Sequence, residues 1–591
     1  MCGIFGHVGG RSDAAQVVLS GLRALEYRGY DSWGVAVSDG TLVQVDRRTG
    51  KIGVAVTELP PSGVGLGHTR WATHGAVTVE NAHPHLDCTR RLALVHNGIV
   101  ENHAELRQAL ENAGHRFRSQ TDTELIAHLI EDALQLAAPG AERLLHATLA
   151  AFRALRGLNA IGVLDVGSGA LAAAKNGSPL VLGFSADGHW LASDSAALLA
   201  HTRDLCFVGD GQAVLLTRER ARLFEIDGGT ELEPEIVRVA WDAQSAERLG
   251  HPDYMSKEIH EQPERLARLA VQAAPSVQAL ASSIAASEQV FMLGCGSSAH
   301  AALVAQHLFA RRGRRITAVT ASEFRHLQAF VAPGTLIVAL SQSGETIDVL
   351  DAALLARTTG ARIAALCNVE GSSLWRMADV VVPLDAGPER CVLATKSFTA
   401  QLALLLLTAH ALDGWLAQGT RAVADAATDI ASMLHGARRA AISAVARALR
   451  TRQHLFVIGR GASHALALET ALKIKEVSYI HAEGLAGGEL KHGVMALIEP
   501  GTPCIALMPH DDTETDLMSA AMQAKARGAE LIGICPQAHP MFDHHIEAAD
   551  LGDASAIVHA VPAQLLGYDL ARLRGHDPDM PRNLAKSVTV K

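Results

Sequence analysis

Met292-Leu-Gly294-Cys-Gly296-Ser-Ser298 and Val457-Ile-Gly459-Arg-Gly461-Ala-Ser463 are one phrase written twice, with Gly459 lying 165 residues after Gly294. Each is the end of an apolar run followed by a glycine turn and a hydroxyl. Further landmarks keep nearly the same offset: Ala321-Ser-Glu323 with His481-Ala-Glu483, Ala339-Leu340 with Ala506-Leu507, and Gly360-Ala-Arg-Ile363 with Gly528-Ala-Glu-Leu531. A repeat of this length means two copies of one supersecondary unit, and the steady offset predicts a shared strand order. Strands such as Gln289–Leu293 and Leu336–Leu340 alternate with Ala/Leu-rich helices, the pattern of a parallel sheet covered on both faces. The apolar stretch Ala400–Leu412 carries Gln401 and His410 and falls short of the ~20 residues of a membrane span, so it reads as a buried helix.

Upstream of about residue 240 the style differs. Gly34–Val37, the Asp39-Gly40 dipeptide and Leu42–Val45 form a hairpin signal. Helices are expected at about 104–113 and 121–136, the second opened by a capping box at Thr121-x-x-Glu124. The composition breaks between Glu231 and Gly250. At 591 residues the chain needs several cores. With 52 basic against 62 acidic residues and 4% aromatics, it lacks the basic faces and stacking platforms of nucleic-acid binding. Its eight cysteines hold no C-x-x-C pair, which fits reduced thiols in a cytoplasmic protein; no signal peptide is expected. The 29 histidines, His83-Pro-His85 among them, show no local ligand spacing, so no metal is expected.

Three segments carry chemistry. Cys2 lies directly behind Met1; if Met1 is trimmed, one residue bears a thiol and an α-amine of pKa about 7.7–8.0, a nucleophile with its own base. An ordinary buried early cysteine is the plainer alternative. Second, the strand ending at Leu340 runs into Ser341-Gln-Ser-Gly-Glu-Thr346 and a helix, so hydroxyls and amides converge where an anion is favoured. The counterpart, Met508-Pro-His-Asp-Asp512, loses an amide donor and gains two negative charges, which implies one sugar-phosphate-sized site per chain. A polar loop with an N-cap, and a dinucleotide fingerprint in Gly294-x-Gly296, are the competing readings; His464 breaks the fingerprint in the second copy. Third, Glu469, Lys473 and Glu476 share one helical face and are able to move a proton beside a carbonyl, although such stripes mostly decorate exposed helices.

With these residues in view, the chain resembles the glutamine–fructose-6-phosphate aminotransferase (isomerizing) family along essentially its whole length. The resemblance rests on Cys2-Gly-Ile4, Leu25–Ser32, His68–Gly75, His96-Asn-Gly98, Ser119–Glu124, Ser341–Thr346, Leu472–Glu476, Ser478–Glu483, Gly488–Gly493 and Asn583–Val590. It implies an α/β chain: an α+β N-terminal-nucleophile glutaminase domain in αββα layers (1–240), a linker (241–250), two doubly wound parallel-sheet sugar isomerase domains (251–430 and 431–575), and a tail (576–591) that completes the sugar site. It further implies formation of glucosamine 6-phosphate from L-glutamine and D-fructose 6-phosphate, the first step of hexosamine synthesis, with no cofactor. By resemblance Cys2 is the nucleophile, Asn97 and Gly98 the oxyanion hole, Arg70, Thr73, His74 and Asp122 the glutamine contacts, and Trp71 the gate of an ammonia channel. Ser297, Ser298, Ser341, Gln342, Ser343, Thr346, Val392 and Ala585 hold the sugar phosphate. Lys586 engages its carbonyl, His492 opens the ring from the partner in a homodimer, and Glu476, with Lys473 beside it, carries the proton between C1 and C2. Trp33, Ala394 and Val494 depart from the family pattern. A different phosphosugar acceptor, or a sugar-phosphate-sensing regulator, are the alternatives.

Overall fold

The computed structural model describes residues 2–239 and 247–589, so Met1, most of the expected linker and the last two residues lie outside the described residues. The chain divides into two compact units, Met1–Glu247 together with Ala585–Lys591, and Arg248–Leu584.

The first unit holds two antiparallel sheets. One runs, in spatial order, Val237–Arg238, Asp204–Phe207, Val181–Ser185, Gly188–Ala192, Gly3–Gly9, Val64–Arg70, Ser32–Ser38 and Val43–Thr49. The other runs Glu231–Leu232, Ala221–Glu225, Gln212–Leu216, Ala170–Lys175, Asn159–Asp165, Leu92–Gly98 and His85–Leu86. The period of two explains the layering, because both faces of these strands are apolar. Ile4 and Val95 point into the core between the sheets, Phe5 faces helix Ala14–Leu25, and Leu94 faces helices Glu124–Leu136 and Arg143–Arg153. The result is an αββα sandwich. The Asp39-Gly40 turn joins Ser32–Ser38 to Val43–Thr49, with Gly40 at φ +92°. Trp33 is fully buried in the layer against helix Ala14–Leu25, its ring 5.2 Å from the Arg48 guanidinium.

The capping box does not form. Helix Glu124–Leu136 starts after Thr123, whose side chain makes no cap hydrogen bond. Glu124 reaches further back, accepting from the backbone N–H of Arg118 and Ser119 and from the Ser119 hydroxyl, because the turn at 119–122 folds those donors over the helix end.

The second unit contains two parallel five-stranded sheets of identical order. In each, the copy's first strand (Gln289–Gly294 or His454–Gly459) is flanked on one side by the second and on the other by the third, fourth and fifth. Helix Lys396–Leu412 is buried along almost its whole length, which accounts for its apolar run.

The glycines of the repeated phrase have a packing reason. A Cβ on Gly294 would lie 2.6 Å from the Ser298 carbonyl carbon, and one on Gly459 would lie 2.0 Å from the Ser463 carbonyl oxygen. The following helix starts directly over the strand end, and Gly296 and Gly461 turn the chain at φ +53° and +57°. The G-x-G spacing serves strand-to-helix closure in both copies, with or without a ligand. Gly459→Ala is therefore expected to destabilise the second unit by at least about 2 kcal/mol, since backbone must move to relieve the clash, seen as an early transition in calorimetric unfolding.

Candidate active sites

In the amino-terminal unit, the start of the first strand is pinned by side chains. Gly3 N–H donates to Thr69 Oγ1 (3.1 Å), Ile4 N–H to Ser193 Oγ (3.0 Å), and the Cys2 carbonyl accepts from Asn97 Nδ2 (3.0 Å) and Arg28 Nε (3.4 Å). Arg28 is itself held by Asp194 at 2.8 Å, which also accepts from the Tyr27 hydroxyl. Cys2 Sγ accepts from the Trp71 N–H at 3.2 Å and the thiol lies 3.5 Å from the Trp71 carbonyl. Cys2 is half-buried, so the sulfur is placed yet reachable.

Asn97 sits at the end of strand Leu92–Gly98, where its orientation is set by a residue to which the sequence reading gave no role. His68 Nε2 lies 3.1 Å from the His96 carbonyl and 3.0 Å from Asn97 Oδ1. A carbonyl only accepts, so Nε2 carries the proton, Asn97 Oδ1 accepts, and its NH2 turns toward Cys2. Next to it, Gly98 has φ +150°, and a Cβ there would lie 2.4 Å from the Leu158 carbonyl oxygen.

Arg70 is buried and its guanidinium N–H groups are taken by the carbonyls of His74, Gly75 and Ala76, which straps loop 71–76 across the strand end. Burial holds its pKa down, against the attraction of Cys2, Asp31 and Asp122. Asp122 is also buried and accepts from Val100 N–H at 2.8 Å. Thr73 is exposed, His74 half-buried with its ring 5.2 Å from His103, and the Trp71 ring stands edge-on to Tyr30.

Behind this site lies a histidine stack. His68, His83, His85 and His96 are all buried, with ring centres 4.2 Å apart for His68–His83 and 4.6 Å for His83–His85. Thr123 Oγ1 lies 3.0 Å from both His83 Nε2 and His96 Nδ1, Thr121 Oγ1 3.1 Å from His85 Nε2, and Asn159 Oδ1 2.8 Å from His96 Nε2. Burial drives all four pKa values down, that of His68 to about 3. The His83-Pro-His85 pair is thus a neutral structural element.

In the second unit, Glu469, Lys473 and Glu476 do not form a solvated stripe. Lys473 Nζ is buried 2.7 Å from Glu476 Oε2 and 3.5 Å from Glu469 Oε1. Burial opposes its charge, but the two carboxylates outweigh it and raise its pKa. Glu469 accepts from the Ser297 hydroxyl (2.9 Å) and faces His300 Nδ1 (2.7 Å); burial opposes its charge, but Lys473 and His300 hold its pKa down. This network ties helix Ala462–Ser478 of one copy to helix Ser297–Ala310 of the other.

The Ser341 loop is built around Gly344, at φ +68°, where a Cβ would stand 2.0 Å from Ser372 Oγ. Gly344 N–H donates to Ser341 Oγ (2.9 Å), Ser341 and Thr346 hydroxyls lie 3.3 Å apart, Ser343 Oγ accepts from Glu345 N–H, and the Gln342 carbonyl accepts from Asn368 N–H. Ser298 Oγ accepts from Gln401 Nε2 at 2.9 Å. Ser297 is engaged by a carboxylate, and the others form the loop itself. The counterpart loop in the second copy turns on Asp511, which caps Thr513, beside Asp550 and Asp553 in a cavity of about 540 Å³. Its four aspartates outnumber Arg311, which makes the lining less suited to an anion than the Ser341 loop. Val392 is buried, its N–H donating to the Asp579 carbonyl at 3.2 Å, while Ala394 and Val494 are half-buried. His492 is exposed; Ala585 and Lys586 are half-buried, in the carboxy-terminal segment grouped with the first unit.

Across all 591 residues the chain is 41% identical to the glutamine–fructose-6-phosphate aminotransferase [isomerizing] of Thermococcus kodakarensis, with each chain covered 100%. The chain belongs to the glutamine–fructose-6-phosphate aminotransferase (isomerizing) family. The relative of the same name from Symbiobacterium thermophilum is also 41% identical over the full length of both chains. A glutamine amidotransferase domain model matches residues 68–200, and a SIS domain model matches 283–411 and 448–574, the two repeated copies. Among solved structures, the C-terminal domain of glucosamine-fructose-6-phosphate aminotransferase from Francisella tularensis is 30% identical and superposes with a TM-score of 0.52, covering 56% of this chain and 100% of that one.

Each buried neutral histidine has an unfolded-state pKa near 6.5, so below that value the unfolded chain takes up protons the folded one refuses. Stability is full above about pH 6.5 and falls as pH drops, by up to about 1.4 kcal/mol per pH unit per histidine. The urea midpoint of the amino-terminal unit is expected to fall steeply between pH 6.5 and 4, and more shallowly in His85→Gln. Gly344→Ala, which forces a Cβ against Ser372 Oγ, is expected to raise KM for the phosphosugar at least tenfold while leaving glutamine hydrolysis intact, measured by separate glutamate and amino-sugar assays.

Proposed function

We propose that the chain converts D-fructose 6-phosphate and L-glutamine into D-glucosamine 6-phosphate and L-glutamate. The observation that carries this reading is the pairing, in one chain, of Cys2 fixed beside Trp71 with the buried Lys473–Glu476 pair, in a family whose named relatives match end to end.

In the glutaminase step the Cys2 thiolate, its proton taken by the α-amine once Met1 is removed, attacks the glutamine carboxamide carbon. The oxyanion that develops is met by the Asn97 amide and the Gly98 N–H, donors preorganised for that charge. Collapse expels ammonia and leaves a thioester, and water then releases glutamate. Arg70 and Asp122 take the substrate's α-carboxylate and α-ammonium, Thr73 and His74 line the same pocket, and Trp71 gates ammonia leaving it.

In the isomerase step the phosphate rests on Ser341, Gln342, Ser343 and Thr346, with Ser297, Ser298, Val392 and Ala585 around the sugar. His492 opens the ring, and Lys586 engages the C2 carbonyl before ammonia forms the C2 imine. Glu476 removes a proton from C1 and returns it to C2, giving the amino-aldose. Lys473 Nζ, 2.7 Å from Glu476 Oε2, positions that carboxylate for the transfer. The exposure of His492 in its own chain supports a homodimer in which it serves the partner's site. Eight scattered cysteines without a C-x-x-C pair support a reducing cytoplasm, and among the described residues no helix is long and apolar enough to cross a membrane.

Full-length protein given amide-15N glutamine and fructose 6-phosphate should form 15N-glucosamine 6-phosphate by mass spectrometry. Cys2→Ala should abolish transfer from glutamine. Glutamate without labelled amino sugar would mean a different acceptor, and no turnover would favour a sugar-phosphate-sensing regulator.

A further inference from the structure

Four side chains outside both candidate active sites converge on one point. Cys88 lies in the turn between strands His85–Leu86 and Leu92–Gly98, His115 follows helix His103–Asn112, and His128 and Glu131 stand at i, i+3 on helix Glu124–Leu136. Their ligand atoms all lie within 4.8 Å of one another. Scanning the sequence for local ligand pairs missed them, because two of the four come from distant loops.

Four of the six distances among these atoms match the edges of a coordination tetrahedron, and the other two pairs, His115 with His128 and Cys88 with Glu131, lie within 4.8 Å. Zinc bonds of about 2.3 Å to sulfur and about 2.0–2.1 Å to nitrogen and oxygen place S···N edges near about 3.6 Å and N···O edges near about 3.3 Å. Cys88 Sγ lies 3.6 Å from His115 Nδ1 and 3.7 Å from His128 Nδ1. Glu131 Oε2 lies 3.3 Å from His115 Nδ1 and 3.1 Å from His128 Nδ1. A hydrogen-bond network accounts for part of this centre, with the Cys88 N–H donating to Glu131 Oε2 at 3.1 Å. One thiol hydrogen serves only one of two imidazoles, and His115 faces a carboxylate with both ring nitrogens, its Nε2 lying 2.9 Å from Asp132 Oδ1. With a cation on Nδ1, Nε2 keeps the proton and donates it to Asp132, the carboxylate–histidine–metal arrangement that orients a ligating imidazole.

We propose that Cys88, His115, His128 and Glu131 form a structural site for a borderline-soft divalent cation, zinc in particular. Thiolate, two imidazoles and a carboxylate are the donor set such an ion takes. All four positions are filled by protein, so the ion is structural rather than catalytic. It would clamp the 86–91 turn and the segment around His115 onto the helix that begins two residues after Asp122, ordering the loop that presents Asp122. Cys88 is exposed, which gives the ion an entry path, while His128 and Glu131 are buried.

The test uses the full chain, stripped with a chelator and titrated with zinc or cobalt alone. One equivalent of zinc per chain should bind, raising the unfolding temperature. Cobalt should give a thiolate-to-metal charge-transfer band that survives Cys2→Ala and disappears in Cys88→Ala. Asp132→Asn should weaken zinc binding about 10- to 100-fold while the site is retained. Failure of the stripped chain to take up zinc, or a cobalt–thiolate band unchanged in Cys88→Ala, would overturn the proposal.

Discussion

A lysine ammonium with almost no exposure persists inside a protein only with carboxylates against it, and much of the second unit is arranged around that requirement. Lys473 has Glu476 on one side and Glu469 on the other, and Glu469 is in turn held by Ser297 and His300 of the other copy. Removing one partner would leave a buried charge unmatched, at a cost of about 3–5 kcal/mol. The network therefore fixes the two copies' helices against each other, and the same contacts hold Glu476 in place while leaving it partly accessible. Stability of the repeat and the proposed proton shuttle draw on one set of charges.

The amino-terminal unit solves a related problem without charge. His68, His83, His85 and His96 are neutral, each with a hydroxyl, amide or carbonyl partner, and they back the strand end that carries Asn97. His68 links that stack to the site, since its Nε2 proton decides which way the Asn97 amide faces. Cys2 is then held through its backbone: Asn97 and Arg28 grip its carbonyl while the Trp71 amide meets the sulfur. Positions remote from the thiol thus set its orientation.

The two copies show how one scaffold supports different sites. Both keep the glycines that let a helix start over a strand end, and both keep the same strand order. They diverge at the third strand's loop, where the first copy has Gly344 and hydroxyls and the second has Pro509, Asp511 and Asp512. Closure of the fold constrains the repeated glycines in both copies, while the third strand's loop closes in the first copy on Gly344 packed against Ser372 and in the second on Asp511, so its residues have diverged.

Periodicity and repetition along the chain were enough to establish the duplicated parallel-sheet unit, the Asp39-Gly40 hairpin and a buried helix over 400–412, which begins at Lys396 in the structure, while the family was legible as an ordered series of motifs. Contacts between segments distant in sequence were not legible. The stripe at 469, 473 and 476 reads as surface until a second helix covers it. Glu124 looks like a capping-box acid until the 118–119 turn folds back onto it. His68 shows no role until Asn97 lies beside it, and Cys88, His115, His128 and Glu131 become neighbours only when two loops close over one helix. A sequence specifies which groups are present and their local spacing; burial, pairing and convergence arise from packing between segments, which the tertiary structure alone decides.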